Sequence, residues 1–370
     1  MRVLRLQARQ LRRFDTVEIE PASGLNLILG GNGAGKTSLL EALHLMAYGR
    51  SFRGRVRDGL IRSGETALEV FVEWEDEPPT PDQQQDGARK LRRAGLRHTG
   101  SDWTGRLDGR DVTQLGDLCA ALAVVTFEPG SHALITGSGE HRRRFLDWGL
   151  FHVEHGFLPA WRRYARAHKQ RNALLKRRGG ADELGAWERE MADAGDLVTR
   201  HREVYLASLQ AHIQPLLREW APALGAIELS YQPGWRRDAT SLDDALLLAR
   251  ERDMAAGHTS VGPHRADWRV DFDSLPGREA LSRGQAKLTA LAAILGQGEH
   301  QAVQRRQWPV VALDDLASEL DRAHQRRVLE RLDDWKAQVL ITGTDAPAGL
   351  GEAGRMAAVF HVEHGVPRRA

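Results

Sequence analysis

The sequence predicts an α/β fold in which a mainly parallel sheet is covered by helices and a helical second lobe is inserted into the chain. Three observations predict it. Strand-like and helix-like stretches alternate at both ends. One glycine-rich turn, within "NLILGGNGAGKTSLL" (26–40), joins an apolar strand to a helix. Between about Gly139 and Met254 the texture changes to long stretches rich in Arg, Ala and Leu.

The elements follow in order. "VLRLQARQL" alternates with period two, "TVEIEPASG" repeats that pattern into a turn, and "LNLILG" is a continuous apolar strand. From Lys36 to Tyr48, Leu39, Leu40, Leu43, Leu45 and Met46 recur at helical spacing. "ALEVFVEW" (67–74) is a strand, and "EDEPPTPDQQQDGARK" (75–90) has the composition of a solvated loop. "GRLDGRDV" (105–112) sets Asp-Gly between two strand-like pieces, the mark of a hairpin. "LQAHIQPLLREWAPAL" and "SLDDALLLARERDM" typify the helical middle. Afterwards "ADWRVDF", "WPVVALDD" and "AQVLITGT" read as strands, and 284–303 and 323–335 as helices. These patterns divide the chain into a first core part (1–138), a helical lobe (139–255) and a returning core part (256–370).

A chain of 370 residues can bury a large core and a second lobe. With 52 basic and 50 acidic residues, its net charge selects no partner; distribution matters more. The single cysteine, Cys119, excludes an internal disulfide, fits a reducing cytosol and lies in the apolar "DLCAALAVVTF", which predicts a buried, inert thiol. No apolar run approaches the ~18 residues of a membrane span, and the first residues lack a signal-peptide core. A cytoplasmic location is expected.

Gly30, Gly35, Lys36 and Thr37 satisfy G-x-x-x-x-G-K-[ST] in the required strand–turn–helix context. In such a loop the backbone of Gly30, Gly31, Asn32, Gly33, Ala34 and Gly35, with Lys36, Thr37 and Ser38, cradles phosphate oxygens at a helix N-terminus. Lys36 is expected to reach the β- and γ-phosphates and Thr37 to ligate Mg²⁺. The glycines are read as leaving bare backbone for a triphosphate. The acidic partner should end an apolar strand, and "PVVALDD" offers Asp314 as the Mg²⁺ carboxylate with Asp315 beside it. Their distance in sequence from Lys36 excludes compact small kinases and GTPases.

The order of the loop, "LSRGQ" (281–285), "LDD" and "SELD" (318–321) resembles the ATP-binding-cassette superfamily. There two heads enclose two ATP molecules, and each presents its S-x-G-Q helix to the other's γ-phosphate. The resemblance implies that Ser282, Gly284 and Gln285, with Asp321 near the interface, act in trans; a plain helix N-cap is the other reading of Ser282. "GRSFR" (49–53), "FEPG…LITGSGEHRRRFLDWGLF" (127–151) and "SVGPHRADW" (260–268) further resemble the RecF family, bacterial recombination mediators related to SMC heads. This resemblance covers nearly the whole chain. It implies an ABC/SMC-type head with a mixed-sheet core, and an ATP-dependent, DNA-binding dimer with weak DNA-stimulated ATPase. It also implies work in repair and replication with RecO and RecR to load RecA.

By the same resemblance Asp315 takes the place of a Glu that orients the attacking water. Its side chain is one methylene shorter, so slow turnover is expected. Arg53 is a candidate for the nucleotide. The usual switch His is absent after "ITGT"; Thr342 or Thr344 is the expected γ-phosphate sensor, ahead of His264, and Gln114 is a weak match to the Mg²⁺-sensing Gln. A transporter nucleotide-binding subunit is the alternative reading, and a scaffold that binds ATP without turning it over is another.

Residues 141–178 hold eleven basic side chains against Asp147 and Glu154. Arg162, Arg163, Arg166, Lys169, Arg171, Lys176, Arg177 and Arg178 are the candidate contacts to a DNA backbone, without base readout. The competing reading is a solvated helical face whose acids lie in "ADELGAWERE" (181–190). Arg142–Arg144 are read instead as holding the lobe onto the core.

Overall fold

A computed structural model of the chain describes residues 1–54, 59–76, 90–350, 358–363 and 365–370. Most of the expected solvated loop, 77–89, lies outside the described residues; Glu75, Asp76 and Lys90 belong to strands. The chain forms two compact units, Met1–Ser131 with Ala293–Ala370, and His132–Ala292.

The first unit begins with β1 (Arg2–Leu11), β2 (Phe14–Ile19) and β3 (Leu25–Leu29), followed by α1 (Lys36–Tyr48). Then come β4 (Leu68–Asp76), β5 (Lys90–His98), β6 (Trp103–Leu107), β7 (Arg110–Val112), α2 (Leu115–Ala121) and β8 (Val124–Phe127). The second unit carries α3 (Ala133–Thr136), α4 (Gly139–Val153), α5 (Phe157–Arg177) and the 40-residue α6 (Ala181–Trp220). It continues through β9 (Ile227–Gln232), α7 (Leu242–Leu248), α8 (Arg250–Ala256) and β10 (Asp267–Phe272). The division falls inside α9 (Arg283–Arg305). The first unit resumes with β11 (Val310–Leu313), α10 (Leu316–Glu319), α11 (Arg322–Asp334), β12 (Val339–Gly343), β13 (Ala358–Glu363) and β14 (Val366–Arg369).

Two sheets build the first unit. The antiparallel one runs β2-β1-β4-β5-β6-β7; the other runs β14-β13-β3-β12-β11-β8 and is parallel except for β14 on β13. Period two in β4 places alternate residues in the core, β1 does so only in part because its register shifts between Val3 and Arg5, and β8, β11 and β12 are buried throughout. Apolar residues of α1, among them Leu39 and Leu43, share one core with Val3, Leu6, Val70 and Trp74 of one sheet and Ile28 and Leu340 of the other. A helix covered on both sides is apolar nearly all round, which explains the dense leucines of 39–46. The Asp108–Gly109 pair takes positive φ at both positions, 51° and 81°, and closes the hairpin between β6 and β7.

Three expectations change. β10, read as part of the returning α/β core, pairs instead with β9 in a two-stranded antiparallel sheet of the second unit. The stretch 241–254, read as one helix, is α7 and α8 meeting at Ala249, with Ser241 accepting the Asp244 N–H as N-cap. The second unit starts at His132 and runs on to Ala292, so Ser282–Gln285 belong to it. Cys119 is buried, and burial pushes its thiol up to about 12.

Candidate nucleotide site

β3, β12 and β11 run parallel, so Leu29, Gly343 and Leu313 finish at one edge of the sheet. The carboxyl ends of parallel strands are where α/β folds gather ligand-binding loops. Gly30–Gly35 leave β3 there and turn into α1. Their glycines have different causes. A Cβ on Gly30 would lie 2.4 Å from the Val362 carbonyl oxygen. Gly35 has φ 112° and would drive a Cβ to 2.5 Å from the Phe14 ring. Gly33 has φ 77°, and only Gly31 faces open space. Close packing and left-handed φ therefore require Gly30, Gly33 and Gly35, and nothing in the packing requires Gly31. The Lys36 ammonium donates to the Gly30 and Gly31 carbonyls at 2.7 and 2.9 Å. Beside the loop an open cavity of about 700 Å³ is lined by Arg13, Gly31–Ala34, Val362, Glu363 and Gly365.

Thr37 donates its hydroxyl to Asp314 Oδ1 at 2.9 Å, although 277 residues separate them. Thr342 donates to the same oxygen at 2.6 Å. Asp314 is almost wholly buried; burial pushes its carboxyl above the ordinary value, against the two hydroxyl bonds and the Arg53 charge. Asp315 sits in the left-handed region at φ 55°, its N–H donates to Thr342 Oγ1 at 3.0 Å, and its carboxylate accepts from the Ser318 hydroxyl. Arg53 is exposed, and its N–H donates to Ser51 Oγ.

Ser282 and Gln285 bond reciprocally: the Gln285 N–H donates to Ser282 Oγ, and the Ser282 N–H to Gln285 Oε1. This is a capping box at the start of α9, so the N-cap reading of Ser282 holds. It uses an acceptor lone pair and leaves the Ser282 hydroxyl proton available. Ser282 and Gly284 are exposed. Asp321 caps α11, accepting from the Ala323 and His324 N–H groups. Thr344 is exposed and bonds Asp345, Gln114 is exposed at the start of α2, and His264 is tied to Tyr164 and Thr259 inside the second unit.

The RecF/RecN/SMC N-terminal domain family model matches residues 2–368. The DNA replication and repair protein RecF of Stenotrophomonas maltophilia (strain R551-3) is 63% identical over 364 residues, covering 98% of each chain. The chain belongs to the RecF family. The RecF of Thioalkalivibrio sulfidiphilus (strain HL-EbGR7) is 36% identical over 367 residues, again 98% of each. In fold, the chain matches a solved RecF–ATP structure, the recombination mediator protein of the RecFOR pathway. The TM-score is 0.85 at 23% identity, covering 100% of this chain and 97% of that one.

Within this RecF-family chain the basic stripe is thinner than the sequence suggests. Arg171 is not a surface cation: it is fully buried, bonded to Glu188, Asp253 and Thr259. Arg163 pairs with Glu190 and Arg177 with Glu183, both acids of the 181–190 stretch. Arg166 lies over the Trp187 ring. Lys169, Lys176 and Arg178 are exposed and carry no ion pair among the described residues. Arg142 bonds Asp267 and the Leu134, Ile135 and Gly137 carbonyls, all within the second unit, which replaces its reading as a strap onto the core.

Sequence reasoning missed Glu41. It is fully buried one helical turn after Thr37, receives both Arg12 Nε and Nη2, and accepts from the Ser51 hydroxyl. Glu41 thus fixes the Ser51–Arg53 segment and the β1–β2 turn. From that turn, Arg13 donates to the Gly33 carbonyl at 2.8 Å. A carboxylate inside the apolar run of α1 was the signal, because a buried acid needs a partner.

Proposed function

We propose that this RecF-family chain is an ATP-dependent DNA-binding protein of recombinational repair and replication. It dimerises around two ATP molecules on gapped or duplex DNA, hydrolyses ATP slowly under DNA stimulation, and helps load RecA with RecO and RecR. The observation that carries the reading is the Thr37–Asp314 bond at the mouth of the glycine loop. It joins the two oxygen ligands that a Mg²⁺–triphosphate needs. Both are hard oxygen donors, as Mg²⁺ requires. No cluster of three or more His, Cys, Asp or Glu among the described residues could hold a metal alone, so the ion would be shared with the triphosphate. When bound, Mg²⁺ neutralises charge on the β- and γ-phosphates.

This chain's own groups do the rest. Lys36 exchanges two backbone carbonyls for phosphate oxygens, a stronger, charge-assisted partner. Asp315 orients water through a carboxylate that Ser318 already holds, which supports slow turnover. Arg53 supplies positive charge near Asp314. In trans, the Ser282 hydroxyl proton and the Gly284 N–H face the γ-phosphate of the other copy. Lys169, Lys176 and Arg178 are the first candidates for the DNA backbone. The relatives' description as DNA replication and repair proteins supports the biological setting.

The test is ATP hydrolysis by the purified protein with and without duplex and gapped DNA, alongside Lys36→Met. DNA-stimulated hydrolysis that the variant loses is the expected result. Hydrolysis indifferent to DNA would overturn the repair reading and favour a transporter-type subunit.

A further inference from the structure

We propose that Thr342 is a positioning residue: its hydroxyl fixes the Asp314 carboxylate and the Asp315 peptide together, and it does not sense the γ-phosphate. A hydroxyl has one proton to donate. Thr342 gives its proton to Asp314 Oδ1 at 2.6 Å and accepts the Asp315 N–H at 3.0 Å. The side chain is 1% exposed on β12, between β3 and β11, so no phosphate reaches it without breaking one of those bonds. Two consequences follow. Thr37 and Thr342 both hold Oδ1, and Thr37 is the one that would turn to a metal. The Thr342 bond then keeps the carboxylate in its rotamer while nucleotide comes and goes. The second bond holds Asp315, a residue with a side chain, in left-handed backbone at φ 55° and ψ 40°, and so aims its carboxylate.

This inference rests on the ATP–Mg²⁺ reading of the site. The test measures affinity for a fluorescent non-hydrolysable ATP analogue in EDTA and in Mg²⁺, beside turnover, in the wild type, T342V and T342S. Valine keeps the shape and removes the hydroxyl; serine keeps the hydroxyl. T342V should bind the analogue in EDTA as the wild type does. It should lose about tenfold of the affinity gained from Mg²⁺ and about tenfold in turnover, the scale of one hydrogen bond to a charged group. T342S should restore both. A merely structural role would lower the unfolding temperature of T342V and leave the Mg²⁺ gain unmoved, and that result would overturn the assignment. Should T342V fail to fold, T342A makes the same comparison with the same two outcomes. If the wild type binds no analogue, the ATP reading itself fails; if the wild type binds it and T342V keeps the full Mg²⁺ gain and turnover, the Thr342 assignment alone falls.

Discussion

Lys169 and Arg171 stand two residues apart on α5 and meet different surroundings. Arg171 points into the second unit, where its guanidinium satisfies Glu188 and Asp253, themselves buried. Removing it leaves the buried Asp253 without its cation and Glu188 with Arg250 alone, so Arg171→Ala should destabilise the protein by roughly 3–5 kcal/mol. Thermal unfolding checks this, and an unfolding temperature within a degree of the wild type would contradict it. Lys169 and Lys176 are exposed, and the double change Lys169→Ala, Lys176→Ala should leave that temperature alone. It should weaken DNA binding and make the slope of log affinity against log salt shallower by about one to two units. Binding isotherms at several salt concentrations measure it; an unchanged slope would remove α5 from the DNA surface. Position on the helix, more than charge count, separates the two roles.

At the scale of elements, the turn from β3 into α1 shows which glycines serve the chain and which could serve a ligand. Gly35→Ala meets both left-handed φ and the Phe14 ring, and should cost about 1–3 kcal/mol of stability. Gly31→Ala meets nothing, so its unfolding temperature should hold while affinity for ATP falls. If G31A binds ATP as the wild type does, the close-approach reading of Gly31 is wrong. α1 also carries His44, bonded to Thr126 and stacked on Tyr48, whose burial pushes its pKa down to about 3. Burial does the same to His264, also to about 3. Each is neutral when folded and protonates first in the unfolded chain, near 6.5. Their stabilising effect is full above about pH 6.5 and lost as pH falls toward 3, at up to about 1.4 kcal/mol per pH unit for each. Unfolding temperatures across that range should fall with acid, and less steeply in His44→Gln.

The same elements show what the sequence made legible. The period of β4, the buried run of β3, the bounds of α1 and the Asp-Gly hairpin all follow from local patterning that packing did not overrule, whereas the period of β1 is broken by a register shift between Val3 and Arg5. β10 carries an equally clear alternation, but alternation does not say which strand it joins, and it joins β9 within the second unit. Long-range pairings such as Thr37 with Asp314 were inferable from motif chemistry. Thr342 and Glu41 were not, because their roles depend on which strands and turns lie adjacent. For the basic stripe, the sequence already offered the acids of 181–190 as partners, but which of them meets which arginine is set only once α6 folds back along α5.

For the whole molecule, each unit holds one half of the proposed trans site: the glycine loop, Asp314 and Asp315 in one, Ser282–Gln285 in the other. On the proposed function, activity belongs to a pair of copies, with ATP binding supplying contacts that shift a monomer–dimer equilibrium. Ser282→Asp is the sharpest probe, since Asp is as good an N-cap as Ser and would preserve the start of α9. It also sets a negative charge against the γ-phosphate of the facing copy. Sedimentation velocity with and without Mg²⁺–ATP, on the wild type, Lys36→Met and Ser282→Asp, tests this most directly. An ATP-driven monomer-to-dimer shift is expected in the wild type and lost in both variants, although Ser282→Asp still binds ATP. A wild type that stays monomeric with ATP bound, or a Ser282→Asp variant that dimerises normally, would contradict it.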